Sequence, residues 1–176
     1  ADQRIGDEEE LTAGGTDPAV DRKARTRRRL LTSRDLKHWL GYAGLTPFAF
    51  FALGVWLFDD YLQALSHRGF VVYSLVILCF LAGSLWGTAM AYDGEAKIQR
   101  LVVSNGLAVF AALSVLTAQL LVASLLLMLG HLAVLWYERN TSRFWGWYGR
   151  LRTQLTSTAV LLHLVYAAGV IARNGG

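Results

Sequence analysis

The chain has 176 residues, of which 54% are hydrophobic and 17% charged, against roughly 25% charged in an ordinary soluble domain. Its formal net charge is +4, and its single cysteine, Cys79, excludes an internal disulfide framework and a cysteine-based metal site. Charges crowd into the first 40 residues and a few short later stretches, so positive charge beside long apolar runs is expected to set membrane topology rather than to bind nucleic acid.

Residues 1–29 run from acidic "GDEEELTAGGTDPAVD" to basic "RKARTRRR". They hold too few apolar side chains to offset the entropy of ordering, and are expected to form a disordered tail. No apolar stretch marks a signal peptide there, and the early acidic cluster argues against a transit peptide. Residues 30–176 are expected to form an all-α integral membrane bundle of five transmembrane helices. Thr32 or Ser33 could cap a helix from Arg34, and Trp39 and Tyr42 suit the headgroup level. The first span is placed at 39–58, kinked at Pro47. The second, 70–92, carries no charge at all. The third and fourth, 98–117 and 119–137, are separated by Ala118 alone. One continuous helix would be about twice the length needed to cross a bilayer core of about 30 Å, so a tight hairpin is expected around Thr117–Gln119. The fifth span is placed at 153–172.

Lys and Arg alternate along the connections. The N-terminal flank is rich, 59–69 holds only Arg68, 93–100 holds Lys97 and Arg100, and 117–119 holds none. The loop at 138–152 holds Arg139, Arg143, Arg150 and Arg152, and Arg173 stands near the end. This pattern places the N-terminus in the cytoplasm and the C-terminus outside. A bacterial inner (plasma) membrane is expected, with the mitochondrial inner membrane as the alternative. Phe144, Trp145, Trp147 and Tyr148 read as an interfacial aromatic belt, and Arg143, Arg150 and Arg152 as partners of anionic lipid at the cytoplasmic face. An arginine site for a phosphate or carboxylate is the alternative reading of this stretch.

Three stretches, "YAGLTPFAFFALG", "ILCFLAGSLWG" and "WYGRLRTQLT", together resemble an uncharacterised family of small membrane proteins, DUF3429, which includes the eukaryotic transmembrane protein sixty-nine. The resemblance covers about residues 38–172 and implies a multi-pass, five-helix membrane protein with no established activity. It also implies a basic residue before the Trp-Gly of the second span. Here that position is Leu85, which puts any function of the basic residue in doubt.

Cys79, Gly83, Gly87 and Ala91 recur every four residues and form one small-residue stripe with a GxxxG. Ser104, Ala108 and Ala112 form a second. Such faces let backbones approach closely, and the two are expected to pack on each other, with Gly83 and Gly87 at the closest helix contact. A homodimer seam is the alternative. Asn105 is expected to face other helices, since an unpaired amide in lipid is costly. His131 and His163 lie inside spans and could act as a proton relay or haem ligands. Counted from the span ends they are offset by roughly 6 Å, which argues against haem. The leading reading of both is satisfied core histidines, with relay and haem as the alternatives. Asp93 and Glu95 read as loop residues, with Gly94 marking a helix end, and "NTS" at 140–142 as an unused sequon. No catalytic, metal or cofactor site is expected.

The composition favours a non-enzymatic scaffold or accessory subunit, with the lipid bilayer and other membrane subunits or further copies of itself as partners and no nucleic acid. A small-solute or ion transporter or channel working as an oligomer is the first alternative. A membrane redox protein or enzyme using His131 and His163 is the second.

Overall fold

The computed structural model describes residues 39–117, 119–141 and 146–174. The chain divides into residues 1–40 and a compact unit from Gly41 onward. Of the first part only Trp39 and Leu40 are described, as the first residues of α1. The tail at 1–29, the caps at Thr32 and Ser33, Ala118, and Ser142, Arg143, Phe144 and Trp145 lie outside the described residues.

Five helices make up the described fold: α1 Trp39–Leu57, α2 Asp60–Ala89, α3 Gly94–Thr117, α4 Leu120–Thr141 and α5 Trp147–Asn174. Each contains a window long and apolar enough to cross a membrane, and at most 39% of any such window is buried in the bundle. The remainder presents Leu, Val, Phe and Trp side chains outward, including Phe80, Leu116, Trp136 and Ile171. A water-exposed surface of that extent does not suit a soluble monomer. The chain is a multi-pass integral membrane protein whose outer surface meets lipid.

The spans read from sequence are recovered with shifted ends. The stretch 59–69, read as a loop, is helical from Asp60 onward. "DYLQALSHRG" continues the periodicity of the apolar run after it, since Ser66, Phe70, Ser74 and Leu78 bury one face. The link between α1 and α2 is only Phe58 and Asp59. Likewise α3 begins at Gly94, α4 runs on to Thr141 and α5 begins at Trp147. The break between α3 and α4 stands as expected, with two separate helices packed on each other. Gly94 sits at the α2–α3 connection with φ +60, the left-handed region where glycine is least strained.

Helix α2 is the hub and packs against α3 and α4, while α4 also packs on α3 and α5. Helix α1 is fastened to its neighbours by side chains. Trp56 Nε1 donates to the Val165 carbonyl at 3.1 Å, and Tyr73 Oη donates to the Gly44 carbonyl at 2.6 Å, in the turn before Pro47. Arg173 donates to the carbonyls of Val55 and Phe58 and to Asp59, satisfying the C-terminal end of α1. The core gathers Phe48, Val55, Phe70, Leu78, Leu127, Val134 and Tyr166 from four helices.

The small-residue stripe is not where the sequence reading put it. Gly83, Gly87 and Ala91 are exposed and Cys79 is half-buried. A Cβ added at Gly83 or Gly87 would meet nothing within 4 Å. The stripe faces outward, because the α2 face turned into the bundle is the one carrying Ser74, Leu78, Leu81, Leu85 and Ala89. Of the second stripe, Ser104 is buried and donates to the Ala82 carbonyl at 2.6 Å, Ala108 is half-buried and Ala112 is exposed. Other glycines make close approaches. A Cβ at Gly130 would come within 2.5 Å of Leu78 Cδ2, and one at Gly169 within 2.6 Å of Trp56 Nε1. Leu85 is fully buried, a place that suits leucine.

Candidate functional site

The inward faces of α4 and α5 are unusual for their polar content. On α4 the buried positions are Ala123, Ser124, Leu127, Gly130, His131, Val134 and Glu138, a stripe of helical period. On α5 the buried series includes Arg152, Thr156, Ala159, His163 and Tyr166. Opposite them α2 supplies Ser66, Phe70 and Ser74. The bundle therefore closes on a column of polar and aromatic groups instead of a purely aliphatic core.

His131, His163 and Ser74 meet at its centre. Ser74 Oγ lies 2.9 Å from His163 Nε2 and 3.3 Å from His131 Nε2, and all three residues are buried. His163 Nδ1 lies 2.8 Å from the Ala159 carbonyl. That carbonyl can only accept, so in the neutral ring Nδ1 carries the hydrogen and Nε2 accepts. Ser74 then donates to His163 Nε2, and its free lone pair takes the Nε2 hydrogen of His131. The network assigns these tautomers and gives the chain one direction, from His131 through Ser74 to His163.

The depth offset counted from the span ends does not keep the two histidines from meeting. Their ring centroids are 5.5 Å apart, a separation of the same size as that offset. Both Nε2 atoms point at the same hydroxyl, an arrangement for exchanging hydrogen bonds and not for gripping a macrocycle from two sides. Among the described residues no group of three or more His, Cys, Asp or Glu converges on a metal-sized space.

An aromatic stack continues the column. Phe48 and Phe70 stack at 4.5 Å and both meet His163 edge-on, at 5.2 and 5.0 Å. Phe70 stacks on Tyr166 at 4.2 Å, and the Tyr166 hydroxyl lies 3.1 Å from His67 Nδ1. In the other direction, two turns beyond His131 on the same face of α4, Glu138 accepts from Arg152 Nε at 2.6 Å. At roughly 1.5 Å per residue, His67, Ser74 and Glu138 mark three levels each about 10 Å apart, so the column reaches across most of the bilayer core.

The other residues singled out from sequence are dispersed. Asn105 is exposed, and its amide donates to the Leu101 carbonyl one turn back, so it satisfies itself locally and does not bridge helices. Arg150 is exposed at the start of α5, whereas Arg152, two residues on, is buried. Asp93 and Glu95 are exposed near the α2–α3 connection. Arg100, counted as a loop charge, is buried, with its guanidinium 4.1 Å over the Tyr92 ring and donating to Thr88, Tyr92 and Thr141. Sequence reasoning missed Ser74, Tyr166 and Glu138. A signal existed for two of them: Glu138 is seven residues from His131, and Ser74 lies in a charge-free run at helical spacing from Phe70 and Leu78.

A family model described as a protein of unknown function, DUF3429, matches residues 33–168. Neither the curated proteins nor the solved structures contain a match to the chain.

Proposed function

The chain belongs to the DUF3429 family, whose function is unknown, and from that footing we propose that it is a small membrane transporter that passes a proton through the His131–Ser74–His163 chain. The observation that carries this reading is the shared Ser74 hydroxyl, hydrogen-bonded to both imidazoles inside the bundle. Ionisable groups at membrane depth are costly and mark ion paths more often than they serve packing. A proton arriving at His131 Nδ1 lets the Nε2 hydrogen pass to Ser74 Oγ while the Ser74 hydrogen passes to His163 Nε2. One proton enters, one bond forms at each step as another breaks, and the charge ends on His163. Phe48, Phe70 and Tyr166 separate that point from His67, so onward passage requires the aromatic stack to move, which gives the path a gate.

Orientation follows the Lys/Arg asymmetry. Lys97, Arg139 and Arg150 belong to one end of the bundle and Arg68 to the other, which favours a cytoplasmic N-terminus and an external C-terminus. The bacterial plasma membrane is the setting this reading adopts.

The test is proton flux into proteoliposomes after a pH jump. Wild type is expected to dissipate the gradient faster than empty vesicles, Ser74→Ala to lose that excess, and Ser74→Thr, which keeps the hydroxyl, to retain most of it. A wild-type rate equal to that of empty vesicles would overturn the reading. A second reading, an accessory subunit of a membrane complex, is favoured by the outward Cys79, Gly83, Gly87 and Ala91 stripe. It expects a cross-link from native Cys79 to a second chain in the membrane, lost in Gly87→Leu.

A further inference from the structure

We propose that Arg152 is the anchor of an oxyanion site at the start of α5, separate from the proton chain. Arg152 is 7% exposed, and its Nε is committed to Glu138. Its Nη2 is buried and has no hydrogen-bond partner among the described residues. A guanidinium does not lose its charge inside a protein, and a buried donor left unmade is expensive. Ser124 Oγ is the other buried side-chain atom in that condition among the described residues, but a hydroxyl carries no net charge to attract a ligand.

The surroundings select the ligand. Arg152 lies in the second turn of a helix of 28 residues, where the N-terminal end of the helix dipole favours negative charge. Tyr148, one turn before it, is 46% exposed and marks the level of the headgroups. A second guanidinium, that of Arg100, binds Thr141, three residues beyond Glu138 on α4. The guanidinium of Arg152 thus has its Nε held by a carboxylate and its buried Nη2 without a partner among the described residues. The group that would satisfy Nη2 is a small oxyanion, either the phosphodiester of an anionic lipid or free phosphate. Glu138 keeps the local charge low, so the site takes its ligand through directed hydrogen bonds, for which arginine is suited and lysine is not.

Thermal unfolding of the full chain in nanodiscs tests this, with two arms. One titrates inorganic phosphate against chloride at matched ionic strength in phosphatidylcholine discs. The other compares discs with and without phosphatidylglycerol. A saturable rise in Tm of roughly 5–10 °C is expected at a hundredfold excess over Kd. A response to phosphate identifies a free anion, and a response to phosphatidylglycerol alone identifies a headgroup. The rise is expected to survive in Arg150→Gln, which changes the exposed neighbour, and to vanish in Arg152→Lys. No rise in wild type in either arm overturns the proposal without recourse to a variant. So does a rise that Arg150→Gln abolishes or that Arg152→Lys retains.

Discussion

Glu138 is the residue on which the inner half of the polar column depends. Its carboxylate holds Arg152 with both side chains 8% exposed, where solvent screens little. Removing one member of a buried pair strands the other, which typically costs about 3–5 kcal/mol. Glu138→Ala is therefore expected to lower the Tm of the purified protein sharply, and Glu138→Gln, which keeps an acceptor, to lower it less. Equal and small effects would mean that water reaches Arg152. The exposed Arg173–Asp59 pair, by contrast, is worth at most about 1 kcal/mol as an ion pair. Its contribution lies in the carbonyls of α1 that Arg173 also satisfies. Asn105 shows the same economy at the residue scale, since an amide bonded to its own helix can sit on an outward face at modest cost.

At the scale of the helix, the decisive question is which face of α2 turns inward. Gly130 of α4 is expected to be intolerant of bulk, because any Cβ there runs into buried Leu78. Gly130→Leu should cost about 1–3 kcal/mol by overpacking, whereas Gly87→Leu, which adds a side chain into open space, should change stability by less than about 0.5 kcal/mol. Thermal unfolding of the two variants side by side decides it, and the reverse order would restore the stripe to the interior. The existence of the five helices was legible because charge-free runs of bilayer length have few other uses. Their ends were not, since α2, α4 and α5 continue through polar and aromatic residues outside the apolar stretch, and hydropathy does not register that. The stripe was legible as a face, but periodicity says only that Cys79, Gly83, Gly87 and Ala91 share a side. Small residues suit an outward side as well as a packed one. The histidines stood out as polar residues in apolar spans. Their meeting on Ser74 depends on the relative register of α2, α4 and α5, and no single-helix pattern encodes it.

For the molecule as a whole, one chain supplies both a lipid-facing exterior and a polar column along its interior, so a path needs no second copy to form it. The proposed path lies within one bundle, where the sequence alone pointed to an oligomer. Arg100 and Arg152 are buried, which leaves fewer loop charges to set orientation than the sequence suggested, yet Lys97, Arg139 and Arg150 still belong to one end. Single cysteines placed at Arg150 and at Asp59 in a Cys79→Ser background are expected to react oppositely with an impermeant reagent on intact cells, with only the Asp59 position labelled. Labelling at position 150 alone would invert the topology. The central claim is that Ser74 joins two histidines of opposite tautomer. Solid-state NMR of isotopically labelled histidine nitrogens, with the protein in lipid bilayers, reads this directly. The expected spectrum has the hydrogen of His163 on Nδ1 and that of His131 on Nε2, with both signals shifting in Ser74→Ala. The same tautomer at both positions, or signals indifferent to Ser74→Ala, would contradict the account.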